Sequence, residues 1–177
     1  MTARSLSWPC LVLFLALAVP SPVAAQSVVI PPLPQVRIPS PDQQTRAERA
    51  YEEARRRYQK GDLPGALSNA NAAWEAVPNA STALIRATIL AKMKRHDDAF
   101  AALLAGLDLD PTDRERDLIE NGLAANGPLC TPPLGWVRVE VNPAGARVEV
   151  LGRRFDAPRT IGLPAGSHAL RISASGQ

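Results

Sequence analysis

The chain has 177 residues, which is enough for one ordinary domain or two small ones. A formal net charge of +3 is too small to indicate a nucleic-acid-binding protein, and a hydrophobic content of 46% is compatible with a packed core. Because aromatic residues make up only 5% of the chain, we expect that core to consist mainly of alanine, leucine and valine.

Residues 1–25 have the pattern of an export signal. Arg4 supplies a positive start, ten apolar residues run from Cys10 to Val19, and small residues precede Gln26. Ten apolar residues are too few to span a bilayer. We therefore predict cleavage after residue 25, no stable membrane span after cleavage, and a periplasmic or cell-surface location in a bacterium. A retained membrane anchor is the alternative.

Residues 26–45 are predicted to form a proline-rich linker. The segment has few charges and favours the extended polyproline II conformation, which makes a semi-rigid spacer. A ligand for a proline-recognising groove is the alternative. Its five prolines are Pro31, Pro32, Pro34, Pro39 and Pro41.

Residues 46–126 contain a helical pattern that occurs twice. Ala66 recurs as Ala99 and Pro78 recurs as Pro111, each 33 positions later. A period of this length indicates stacked helix–turn–helix units, which leave a surface for partners. The apolar stripes of the four predicted helices fall within residues 46–59, 63–77, 83–93 and 99–107.

A fifth helix is predicted from Thr112 to Ala125. Thr112 can cap its start, and the acidic residues of its first turn suit the helix dipole. Leu118, Ile119 and Leu123 form one apolar face, so we expect this helix to cover the open end of the stack.

The helical region resembles the tetratricopeptide (TPR) repeat family. Besides the repeated alanines and prolines, the small residues Ala54 and Ala87 and the turn residue Gly61 fit that family. Lys94 departs from it by replacing the second turn glycine, and Arg57 stands where an apolar residue is usual. The resemblance covers two repeats and a capping helix.

The TPR resemblance implies a concave groove, lined by the first helix of each unit, that binds a protein partner. Ordinary surface positions are the alternative for the polar residues that would face this groove. These residues are Glu48, Arg55, Gln59, Ser81, Thr88 and Lys92.

Residues 127–134 are rich in proline and are predicted to form a second linker, acting as a hinge. This segment contains Cys130, the one cysteine that remains if the leader is removed. A buried thiol is the favoured interpretation, and a site of intermolecular pairing is the alternative.

From residue 135 the pattern changes to alternation of apolar and polar residues, which predicts antiparallel strands. Val137, Val139 and Val141 mark the buried face of the first strand. Val148 and Val150 mark the second, residues 160–163 the third, and residues 168–173 the fourth, with a turn at residues 151–154. The chain is therefore predicted to be a multidomain α+β protein.

Residues 135–177 resemble the PEGA domain, a small β-sandwich-like module named for a Pro-Glu-Gly-Ala turn. The turn here is Pro143, Ala144, Gly145 and Ala146, and Gly152, Pro158 and residues 163–168 match the order of the family. The resemblance implies further strands where this sequence ends, so we expect an incomplete module. Its six arginines against three acidic residues favour contact with anionic envelope material.

The sequence shows no arrangement typical of catalysis or metal binding. Neither His96 nor His168 has a nucleophile or carboxylate in a recognisable motif. Asp108, Asp110 and Asp113 do not match a calcium loop and are better explained as the end of one repeat and the start of the next helix. We therefore predict no cofactor, no metal and no enzymatic activity.

The predicted function is a non-catalytic scaffold or adaptor of the bacterial cell envelope that binds a protein partner. The alternative is an accessory protein that binds carbohydrate or peptidoglycan through the PEGA-like module. An enzyme is disfavoured because no activated nucleophile or paired acids are visible.

Overall fold

A computed structural model describes residues 28–32, 38–141 and 146–173 of the chain. Within these ranges five α-helices precede five strands, so the predicted α+β class is confirmed. The signal predicted for residues 1–25 lies outside the described residues. None of the described helices combines the length and the apolar character that crossing a membrane would require.

The helices form two hairpins and a closing helix. The first hairpin packs α1 on α2, the second packs α3 on α4, and α5 lies against α4 and α3. Ala66 and Ala99, the residues related by the repeat, are both fully buried. The helices are α1 (Pro41–Gln59), α2 (Leu63–Ala76), α3 (Ala80–Lys92), α4 (His96–Leu107) and α5 (Asp113–Asn126).

Helix α1 begins inside the segment predicted to be a linker. The Ser40 hydroxyl accepts a hydrogen bond from the Gln43 amide at 3.3 Å, and the Gln43 side chain accepts one from the Ser40 amide at 2.9 Å. This capping box satisfies two amides at the helix start, and Pro41 occupies a first position where a missing N–H costs little. The linker prediction is therefore wrong for residues 41–45.

Residues 28–32 form a strap along the β region instead of a free spacer. Val29 exchanges two backbone hydrogen bonds with Gly162, at 3.0 and 2.8 Å. Val29 packs against the helical core, whereas Val28 and Ile30 pack in the β core. We call this segment the N-terminal strap, because it contacts both parts of the fold.

Helix α5 closes the stack with only part of its predicted apolar face. Thr112 and Glu115 form a capping box at its start, and Ile119 and Leu123 are buried in the helical core. Leu118 is 51% exposed, so its predicted place on the covered face is wrong. It lies about 100° around the helix from Ile119, which is far enough to turn it towards solvent.

The strands form two small antiparallel sheets. One pairs β1 (Leu134–Val139) with β4 (Arg159–Pro164), and the other has β2 (Arg147–Val150) between β3 (Arg153–Asp156) and β5 (Leu170–Ser173).

Strand β3 begins inside residues 151–154, which were predicted to form a turn. The turn itself needs only Leu151 and Gly152, both of which have positive φ angles, 47° and 75°. Such a two-residue turn matches the twist of a hairpin, so pairing resumes directly at Arg153.

The β core contains residues from both sheets. Val139, Val148, Val150 and Ile161 are buried there, and Val141 packs against them. Val137 is 39% exposed although the alternation predicted it to be buried. Its partner across the ladder, Ile161, is fully buried, but Val137 itself is not covered, so that prediction is wrong for Val137.

The segment predicted to be a hinge is packed between the two parts. It contains a 3₁₀ turn (Gly127–Leu129), and Cys130 is buried in the helical core with Leu134 packed against it. The Thr131 amide donates a hydrogen bond to Asp97 of α4 at 3.0 Å. These contacts join the helical part to the β part, so residues 127–134 are not a flexible hinge.

Candidate functional site

A groove of about 280 Å³ lies between α1 and the start of α3. We call it the α1–α3 groove. Ala47 and Tyr51, one turn apart on α1, and Val77 before α3 supply apolar surface. The capping box between Asn79 and Thr82 fixes the start of α3 beside them.

Two carboxylates of α1 line this groove, those of Glu48 and Glu52. Glu52 has an ion pair with Arg55 at 3.2 Å, in which both side chains are at least half exposed and the attraction is therefore weak. Glu48 forms no ion pair with any residue that the structure describes. The two carboxylates therefore give the groove a negative rim. Because they are four residues apart on one helix, they also repel each other slightly.

Ser81 lines the same groove, but its hydroxyl donates a hydrogen bond to Glu115 of α5. That bond and a second one from Thr112 hold the pKa of Glu115 below its usual value. Ser81 therefore joins α3 to the closing helix and keeps the groove wall in place.

The other four predicted groove residues are exposed on α1 and α3 but do not line this cavity. Arg55 and Gln59 lie on α1, beyond Glu52. Thr88 donates its hydroxyl to the Leu84 carbonyl at 2.8 Å, and Lys92 is exposed near the end of α3. Of the six predicted residues, the structure brings together only Glu48 and Ser81.

Asp108, directly after α4, contacts β1 and β4, and through Arg159 it is linked to the N-terminal strap. Its side chain is 5% exposed and accepts a hydrogen bond from the Thr160 amide of β4 at 3.0 Å. Arg159 and Arg138 lie 3.4 and 3.6 Å from its carboxylate oxygens. Arg159 also donates a hydrogen bond to the Pro31 carbonyl of the N-terminal strap. Its partners lie 30 or more positions away, so no local motif marked this residue.

A second surface with binding character lies on the β part. Trp136 of β1 is 37% exposed beside a cavity of about 470 Å³ whose walls include Pro133, Leu163 and His168. The walls are mainly apolar, and His168 is held by contact with the Pro164 carbonyl at 2.7 Å. An exposed indole beside such a depression can stack on a flat apolar face of a ligand.

Only Ala146 of the predicted PEGA-like turn lies within the described residues. It is buried, and its carbonyl accepts a hydrogen bond from the Ala157 amide at 3.0 Å. Pro143, Ala144 and Gly145 lie outside the described residues.

Two further groups were considered for catalysis or metal binding: His96 and clusters of possible metal ligands. His96 lies 2.9 Å from the Asn126 side-chain oxygen, between α4 and α5. Among the described residues, no group of three or more histidines, cysteines or acids is placed to hold a metal ion.

Cys130 is a buried thiol whose sulfur donates a hydrogen bond to the Asn126 carbonyl at 3.4 Å. Burial, and then the neighbouring Asp97 carboxylate, raise the pKa of Cys130 from 9.0 to about 12. The thiolate is the reactive form, so the thiol is expected to be inert at neutral pH.

Cys130 gives a testable pH dependence. Because its folded pKa is raised, its contribution to stability is complete below pH 9 and is lost as pH rises through the folded value of about 12. In this interval we expect the free energy of unfolding to fall by about 1.4 kcal/mol per pH unit more in the wild type than in Cys130→Ala. Urea unfolding from pH 8 to pH 11 measures the difference, and parallel profiles would contradict it.

No family model matches this sequence, and no curated protein and no solved structure is detectably similar to it.

Proposed function

We propose that this protein is a non-catalytic adaptor of the bacterial cell envelope that holds a segment of a protein partner in the α1–α3 groove. The observation that carries the proposal is the groove itself, with apolar surface from Ala47, Tyr51 and Val77 and the carboxylates of Glu48 and Glu52 at its edge. A side chain with an apolar stem and a positive end suits such a surface. The bound segment is therefore expected to carry lysine or arginine.

The assignment of the helical part to the TPR family is also a proposal, supported by the way the repeat is built. Gly61 and Lys94 end the first helix of each hairpin, 33 positions apart, with φ angles of 79° and 59°. The left-handed backbone conformation costs a lysine roughly 1–2 kcal/mol. The second hairpin nevertheless has the same turn conformation as the first, although it has no glycine there. Ala54 and Ala87, also related by the repeat, are both buried.

The envelope location stays a prediction from residues 1–25. That the protein has no catalytic activity, cofactor or metal likewise stays a prediction, because it is based on the lack of recognisable motifs in the sequence.

The partner can be trapped by a photo-crosslinking amino acid placed at Gln44, an exposed residue at the edge of the groove. Ser68, exposed on α2, is the matched control position. We expect a discrete protein adduct from Gln44 in cells of the source bacterium and none from Ser68. Glu48→Arg should reduce that adduct roughly tenfold, because it reverses a charge at the binding surface.

Equal adducts at Gln44 and Ser68, or an adduct that is insensitive to Glu48→Arg, would argue against a partner in the groove. Arg49→Glu is the control for a general change of charge. It alters an exposed residue of α1 that does not line the groove.

The exposed Trp136 favours a second candidate function, binding of carbohydrate or peptidoglycan through a PEGA-like β module. Its indole lies beside the cavity lined by Pro133, Leu163 and His168. The two candidates are separated by retention of the full chain on purified sacculi. Loss of retention in Trp136→Ala but not in Glu48→Arg would favour the wall polymer, and no retention of the wild type would exclude it.

A further inference from the structure

Arg86 of α3 lies over the indole of Trp74 of α2, with the guanidinium carbon 5.9 Å from the ring centroid. Both side chains are partly buried, and neither lines the α1–α3 groove. Stacking on an indole fixes the plane of the guanidinium and removes part of its hydration.

Arg86 has no counter-charge within ion-pair distance among the residues that the structure describes. Its Nε is buried and donates no hydrogen bond. The nearby Asp98 is bound to Arg95 at 2.7 Å, and Glu75 forms no ion pair with Arg86. Burial lowers the pKa of Arg86, with only weaker compensation from these carboxylates.

Two other partly buried arginines, Arg57 and Arg159, do have carboxylate partners, which are Glu53 and Asp108. A partly desolvated cation without an anion is costly, and an incoming carboxylate would remove that cost.

Asn71, one turn before Trp74 on α2, also has a polar atom without a hydrogen-bond partner. Its side-chain oxygen is buried and accepts no hydrogen bond. Residues three apart on a helix share a face, so this acceptor lies on the same side of α2 as Trp74. Because both atoms are buried, an incoming ligand would meet the terminal nitrogens of Arg86 and not its Nε or the Asn71 oxygen.

We propose that Arg86, stacked on Trp74, is a binding position for the carboxylate of an acidic protein segment. The planar guanidinium can hold an aspartate or glutamate side chain through two parallel hydrogen bonds. The site does not depend on a partner in the α1–α3 groove.

The probe is hexaglutamate, titrated at low ionic strength into the full chain, with the Arg86 Nε–H resonance followed by NMR. Arg86→Gln identifies that resonance and is expected to weaken binding roughly tenfold, because one charge-assisted pair is lost. Arg86→Lys keeps the charge but loses the planar guanidinium that can donate two parallel hydrogen bonds, and should weaken binding about threefold. Arg154→Gln is the matched control, since it removes an exposed arginine of the β part that already has a partner, Glu149.

The proposal is overturned if hexaglutamate does not shift the Arg86 resonance, or if Arg154→Gln weakens binding as much as Arg86→Gln does. A short single-stranded DNA that binds equally well and depends equally on Arg86 would also overturn it, in favour of phosphate recognition. Circular dichroism checks that each variant is folded. If Arg86→Gln is not folded, the Arg86→Lys titration decides the outcome by itself.

Discussion

Asp108→Ala is expected to lower the free energy of unfolding by about 2–3 kcal/mol. The change removes the acceptor of the Thr160 amide, and Thr160 is fully buried, so that N–H would have no partner. An unsatisfied buried donor costs about 1–3 kcal/mol, and the small cavity left by the side chain adds to this. Urea unfolding followed by circular dichroism measures the loss.

Asp108→Asn separates the hydrogen bond from the charge, because its amide oxygen can still accept from Thr160. Burial raises the pKa of Asp108 despite the opposing effects of Thr160, Arg159 and Arg138. A raised pKa means that the charged form is disfavoured in the folded state, so this variant should lose less than about 1 kcal/mol. If it is as unstable as Asp108→Ala, the attraction to the two arginines is the more important contact.

Asp156→Asn is the surface control for both variants. Its pair with Arg147 spans 3.7 Å, and both side chains are more than 60% exposed. Exposed pairs of this kind contribute at most about 1 kcal/mol. Asp156 lies on the surface of the β part, whereas Asp108 is buried between the helical part and β4. The comparison therefore tests whether the loss of a buried carboxylate destabilises the protein more than the loss of an exposed one.

Local signals in the sequence were sufficient for most of the helical part. The 33-residue repeat placed Ala66 and Ala99 in the interior, and Thr112 marked the start of α5. The start of α1 was missed because five prolines made the whole segment resemble a spacer. The capping pair of Ser40 and Gln43 within it decided the boundary.

Contacts between residues far apart in the sequence could not be predicted from local patterns. Periodicity shows which face of a strand is apolar, but not which residues on that face are covered, so Val137 was wrongly placed in the core. The link from Asp108 to Thr160 spans 52 positions, and only the folded chain brings the two together. The same applies to the candidate groove, where Glu48 and Ser81 meet but four other predicted residues lie elsewhere.

Gly162→Ala is the second large effect that we expect, with a loss of about 2–3 kcal/mol. A Cβ atom at this position would lie 2.7 Å from the ring of Phe100, 3.2 Å from Val29 and 3.3 Å from Leu104. Phe100 and Leu104 are fully buried, so neither can move away without disturbing the helical core. Overpacking of this kind typically costs about 1–3 kcal/mol, and contacts on three sides favour the upper part of that range. Urea unfolding measures the loss.

Gly135→Ala is the matched control, because Gly135 lies on the paired strand β1 one step along the ladder, opposite Leu163. A Cβ atom there would meet only the Leu163 carbonyl, at 3.9 Å. We expect a change within about 0.5 kcal/mol, as for most surface substitutions. A crowded Gly162 should also push Val29 away, so limited proteolysis should cut the N-terminal strap faster in Gly162→Ala than in Gly135→Ala. Equal stability and equal cleavage in the two variants would mean that the helical and β parts are not joined through this contact.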